Sequence, residues 1–178
     1  MKWSLRLGQI SGVGIYVHAT FAILVVWIAM ASWSQGETIE AVVEGVGFIL
    51  ALFGCIVLHE LGHAFAARRY NIQTRDITLL PIGGVARLER MPEEPKQELV
   101  VAVAGPAVNL VIACLLWVGL ALSGGWETTP EMRSLAGPFA QSLFVVNVLI
   151  TSFNLLQALP IGGGLAFRAL PAPRTHYC

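Results

Sequence analysis

An all-α membrane protein of four transmembrane helices, with a short cytoplasmic β-hairpin between the second and the third, is the fold class that the sequence predicts. Three observations carry it. Of 178 residues, 56% are hydrophobic and only 12% charged, about half the charged share of a typical soluble domain, and the mean hydropathy is +0.70. The apolar residues gather into four runs nearly free of charge, each long enough to cross a bilayer. The basic residues are also sorted: Lys2 and Arg6 precede the first run, Arg68, Arg69, Arg75, Arg87, Arg90 and Lys96 lie between the second and third, and Arg168 and Arg174 follow the fourth, so only Arg133 of the 11 Lys+Arg is left for the other side. By the positive-inside rule, the hairpin and both termini then lie in the cytoplasm of a multi-pass protein of the cell membrane. The formal net charge is zero and no basic patch stands out, so the lipid bilayer is an expected partner and nucleic acid is not. Cys55, Cys114 and Cys178 form no framework pattern and read as small apolar residues rather than disulfides.

In chain order, residues 1–16 alternate loosely between apolar and polar and carry three glycines, which fits an N-terminal strand or interfacial segment better than a helix. A cleaved leader is the alternative, since Lys2 and Arg6 precede an apolar run, but the lead-in is long and Ser32 to Gln35 makes a weak cleavage site. The membrane-embedded core is expected over 17–164, with spans at about 17–34, 45–67, 99–122 and 135–159. The first span carries no charge and is just long enough, with His18 read as an interfacial or hydrogen-bonded residue. A polar loop with Glu37, Glu40 and Glu44 leads into the second span, which ends at Arg68-Arg69. The segment 72–88 favours strand, with Pro81 and Gly83-Gly84 marking a turn, and reads as a hairpin or else a connecting loop. The third span begins with the small residues Ala102, Ala104, Gly105 and Ala107, which let helix backbones approach closely. Pro106 should bend it, and Asn109 is placed for an interhelical hydrogen bond. The fourth holds Asn147 and Asn154 and ends in Pro160-Ile161-Gly162-Gly163-Gly164, before a short cytoplasmic tail over 165–178.

Chemistry concentrates at His59-Glu60-Leu61-Gly62-His63, inside the second span. Side chains four apart on a helix share a face, so the two imidazoles can meet one ion while Glu60 sits beside it. Zinc takes imidazole nitrogen in tetrahedral geometry, and a neighbouring carboxylate serves as general base toward water activated at the metal. The bland alternative is a pair of satisfied core histidines with a chance glutamate. Three ionisable residues in an apolar span are costly to insert and mark a functional site by default. Cys55 shares the His59 face but lies about 12 Å from His63 along the axis, too far to join the same ion.

H-E-L-G-H at 59–63, L-L-P-I-G-G-V-A at 79–86, A-G-P-A-V-N at 104–109 and F-N-L-L-Q-A-L-P at 153–160 together resemble the site-2 protease (M50) family of intramembrane zinc metalloproteases. The resemblance implies hydrolysis of a peptide bond in or near a transmembrane segment of a membrane-protein substrate. It implies one Zn2+ on His59 and His63, Glu60 as the catalytic base, and substrate contacts at Asn154, Gly83 and Gly84, where an unwound substrate would add to the hairpin as a strand. One departure stands out. The family's third zinc ligand, an aspartate after the fourth-span proline, is replaced by Gly162. Leu165 stands where the family has an arginine, Gln157 replaces a usual proline, and no Asp or Glu follows Glu131. The Asn154 amide, or His176 or Cys178 from the tail, are the remaining donors. Many relatives continue beyond this point, so a shortened copy is one expectation. A catalytically impaired pseudoprotease that binds a transmembrane partner is the alternative function. A small transporter is disfavoured because the two halves show no inverted repeat.

Overall fold

A computed structural model describes residues 3–81, 83–90, 94–123 and 136–169, with side chains in the last stretch described over 138–156. The element order is β1 (Ser4–Ile10), β2 (Val13–His18), α1 (Ala19–Ser34), α2 (Ile39–Arg68), β3 (Thr74–Leu80), β4 (Gly83–Leu88), α3 (Pro95–Leu122) and α4 (Ala136–Ala169).

The expected all-α class with four spans is not what forms. The four strands make one mixed sheet in the order β1-β2-β3-β4. It starts at the N-terminus, ahead of the helices, and is not a lone hairpin between the second and third helices. Ser11 and Gly12, both at positive φ (50° and 92°), make the two-residue turn that folds β1 back antiparallel on β2. β2 then runs parallel to β3, with Gly14 opposite Asp76 and Val17 opposite Leu79, and β3 pairs antiparallel with β4.

Among the described residues three helices are long and apolar enough to cross a membrane, where four were expected: α2, α3 and, over Pro138–Leu156, α4. The first expected span fails because β2 takes its opening residues. Val17 is paired to Leu5 and Leu79, and His18 caps a helix that starts at Ala19, its Nδ1 accepting the Thr20 N–H. The 16 residues left reach about 24 Å, short of a hydrocarbon core of about 30 Å.

α2 begins at Thr38, whose hydroxyl accepts the Ala41 N–H at 3.3 Å, and carries Glu40 in its first turn and Arg68 in its last, charges of the sign that each end of the helix dipole favours. Its C-terminal half packs on the sheet through the cluster Val13, Leu61, Ala64 and Ile77 and through Phe21, Phe53 and Leu79, with the Phe21 and Phe53 ring centroids 4.3 Å apart. Ala67, Ile72 and Val101 tie the same end of α2 to α3. The sheet thus caps one end of the helices and holds the last four turns of α2 between itself and α3.

Candidate active site

Two helices meet here along matching ladders with a four-residue step. On α2 the ladder is Cys55, His59 and His63; on α3, running the other way, it is Val101, Gly105 and Asn109. Small residues at the seam let the backbones close in. A Cβ on Gly62 would stand 2.8 Å from the Ala104 carbonyl oxygen and 2.8 Å from Val108 Cγ2. A Cβ on Gly105 would overlap the His63 ring, reaching Nε2 and lying 2.6 Å from Cε1 and 2.7 Å from Cδ2. The glycine is what makes room for the imidazole.

The His59 and His63 rings face each other edge to face, with centroids 4.7 Å apart and planes at 80°, and their Nε2 atoms are 3.1 Å apart. Two nitrogens of a tetrahedral zinc site, each about 2.05 Å from the ion, are separated by about 3.3 Å, so the pair is spaced to share one metal. His63 Nδ1 lies 2.7 Å from the Val101 carbonyl oxygen. A carbonyl only accepts, so Nδ1 carries the proton and Nε2 keeps its lone pair, as is usual where a histidine binds a metal through Nε2 and donates its other N–H to a carbonyl.

His59 is 5% exposed and its Nδ1 has no hydrogen-bond partner. The Asn109 side chain and the Gly105 backbone approach its ring, yet both Asn109 polar atoms are also buried and unpartnered. Three orphaned polar atoms in one seam are costly, about 1–3 kcal/mol each, and the donor set, two imidazoles whose Nε2 atoms converge, is of the kind that takes zinc. The residues present therefore fit a metal, although among the described residues no third His, Cys, Asp or Glu joins the pair.

Glu60 is next in sequence to His59 but turned toward the sheet, where β4 covers it. A Cβ on Gly84 would lie 2.7 Å from Glu60 Cγ and 3.3 Å from Cδ. The described residues offer its carboxylate no ion-pair partner. The structure thus gathers His59, Glu60, His63 and Gly84. Gly83 opens β4 at φ 138° with nothing near its Cβ position. Asn154 is half-buried and donates its Nδ2–H to the Ile150 carbonyl of its own helix at 2.8 Å. Gly162 and Gln157 belong to the stretch of α4 whose side chains fall outside the described residues, and His176 and Cys178 lie outside them altogether.

Cys55 takes another partner: Asn147 of α4 donates Nδ2–H to its Sγ at 3.5 Å and to the Leu143 carbonyl at 2.8 Å. Sequence reasoning missed the Val101 carbonyl and Gly105 as supports of His63, and Asn109 as a neighbour of His59. The four-residue step from Val101 to Asn109 was the signal that could have found them.

A family profile described as Peptidase family M50 matches residues 47–139, a stretch that holds both ladders. A zinc metalloprotease of Methanocaldococcus jannaschii is 36% identical over 177 residues, covering 99% of this chain and 48% of that protein. The solved structure of a site-2 protease from the same organism superposes with a TM-score of 0.63 at 31% identity, over 98% of this chain and 74% of that one. The chain spans about half the length of the curated relatives it matches.

Proposed function

The chain belongs to peptidase family M50, the site-2 protease family of zinc metalloproteases, and on that premise we propose that it hydrolyses a peptide bond in or near a transmembrane segment of a membrane-protein substrate. The observation that carries this reading is the converging Nε2 pair, 3.1 Å apart, on a helix apolar enough to lie in the bilayer. His59 and His63 would hold the zinc ion, which would supply Lewis-acid chemistry toward water and the scissile carbonyl. Glu60 takes the proton of the attacking water on its carboxylate and delivers it to the nitrogen of the leaving amine. The Val101 carbonyl keeps His63 in the tautomer that presents Nε2. β4 is an edge strand beside Glu60, so an unwound substrate adds along Gly83 and Gly84 by backbone hydrogen bonds. Asn154 meets the substrate after releasing the Ile150 carbonyl.

In this reading the sheet faces the cytoplasm of the cell membrane, and α1 together with the loop after it carries the chain to the start of α2 on the other side. The β2–β3 pairing brings the two ends of the α1–α2 excursion to one side, and that is the side with the excess of Lys and Arg.

Gly162 favours a second reading. With glycine where the family has its third ligand, a two-histidine site falls short of the three protein ligands usual for catalytic zinc. The chain would then grip a transmembrane partner without cutting it. Zinc analysis of the detergent-purified protein, alongside cleavage of a reporter transmembrane substrate, separates the two. The protease reading expects about one zinc per chain, lost in His59→Ala, with cleavage in the wild type. No zinc and no cleavage in the wild type, with both gained by Gly162→Asp, establishes the pseudoprotease.

A further inference from the structure

A second cavity lies on the opposite side of α2 from the histidine seam. His59, Gly62 and His63 face α3, whereas Ala64, Phe65 and Arg68, half a turn round the helix, face a hollow of about 350 Å³ between the end of α2, the β1–β2 turn and the start of β3. Its polar lining comes from Ser11, Arg68, Asn71, Gln73 and Thr74, and no carboxylate lines it among the described residues. Arg68 donates from Nη1 to the Ser11 carbonyl at 3.0 Å, which fixes the guanidinium at the rim and leaves its other N–H donors without a partner among the described residues. Thr74 is 7% exposed, and its Oγ1 is buried with no hydrogen-bond partner. A cation with spare donors at the rim, and in the wall behind it a buried hydroxyl that no described group satisfies, suit an oxyanion.

Its level in the membrane narrows the source. Arg68 closes the apolar stretch of α2, and Phe65 beside it is 46% exposed, so the mouth of the cavity has an apolar flank where the bilayer gives way to water. We propose that this cavity binds a phosphate group carried by an anionic phospholipid headgroup, with Arg68 and Thr74 as its principal ligands and the amides of Asn71 and Gln73 as secondary donors.

The full chain in detergent, titrated with phosphatidic acid and in parallel with phosphatidylcholine, tests this by native mass spectrometry. Saturable binding of phosphatidic acid over phosphatidylcholine is expected. Arg68→Gln should weaken it tenfold or more and Thr74→Val, which keeps the strand-forming shape, about threefold, while Arg68→Lys recovers part of the loss. Arg69→Gln, one position on and equally exposed, should change it less than twofold. Equal losses in Arg68→Gln and Arg69→Gln would reduce the effect to diffuse surface charge and overturn the site, as would binding that never saturates or a Thr74→Val variant that binds as well as wild type. Inorganic phosphate should displace the lipid only at a large excess. If it binds as tightly as phosphatidic acid, with the same sensitivity to both variants, the lipid assignment is overturned in favour of free phosphate.

Discussion

The two halves of α2 belong to one long apolar helix and differ in their surroundings. From Ile39 to Leu52 no residue is buried, and Ile39 and Val43 are 67% and 65% exposed. From Phe53 to Arg68 come all the buried residues of the helix, His59 among them. The glycines record the same change. Around Gly45 and Gly47 a Cβ would meet nothing within 4 Å, whereas at Gly62 it would stand 2.8 Å from a carbonyl oxygen of α3. Polar groups are expensive in lipid, and they survive where protein rather than hydrocarbon surrounds them. The half of the helix that is walled in by α3 and the sheet is the half that can carry two imidazoles and a carboxylate.

The largest effect expected from that contrast is on the carboxylates of the two halves. Glu60→Gln should lower cleavage of a reporter transmembrane substrate by about 10²- to 10⁴-fold, the range for a general base, while bound zinc stays at the wild-type level. Glu44→Gln, in the lipid-exposed half, should leave the rate within twofold. Cleavage by the Glu60→Gln protein at the wild-type rate would remove the base from its role.

Next in size is the seat of His63. Gly105→Ala places a methyl where the imidazole ring now lies, so the ring must leave the Val101 carbonyl or the helices must part. Overpacking of this kind costs about 1–3 kcal/mol, and loss of a second-shell support lowers metal affinity about 10- to 100-fold. Zinc titration and thermal unfolding read the two effects separately, and an unchanged zinc affinity would mean that the ring is not seated as described. A smaller effect belongs to Gly84→Ala, whose Cβ would crowd Glu60 Cγ at 2.7 Å but not the histidines. Zinc content should hold, while kcat falls about tenfold as the carboxylate is displaced by part of an ångström. A fall in zinc as large as in Gly105→Ala would show that the two glycines support one unit.

How much of this was legible in the sequence follows the range of the interactions. The approach of His59 to His63 needs only the helical period, and a run as long and apolar as α2 announces itself. The sheet does not. Its central pairing joins Gly14–Val17 to Asp76–Leu79, some sixty residues apart, and neither strand has a strong pattern of its own. Val17 also sits in an apolar run, and local hydropathy assigns it to a span although its backbone belongs to β2. The same limit applied at the site. Asn109 is conspicuous as a polar residue in an apolar helix, but which group it faces depends on the register of α3 against α2. Gly84 reads as a turn residue, and only the fold of β4 over α2 makes it the cover of Glu60.

The smallest expected effect uses the same chemical change as at Gly105, one added methyl, on a face of α2 that nothing covers. Gly54 is exposed, and its Cβ position has no neighbour within 4 Å. Gly54→Ala therefore brings no overlap, and it relieves the helix of a residue that costs up to about 1 kcal/mol relative to alanine. The unfolding temperature in detergent should stay the same or rise by a few degrees, with zinc content and cleavage unchanged. The position is only two turns from Gly62, so the experiment samples the boundary between the two environments directly. A destabilisation of about 1 kcal/mol or more would mean that a neighbour packs against Gly54 in the membrane, and the enclosure that begins at Phe53 would then reach round to the face of the helix that is exposed here.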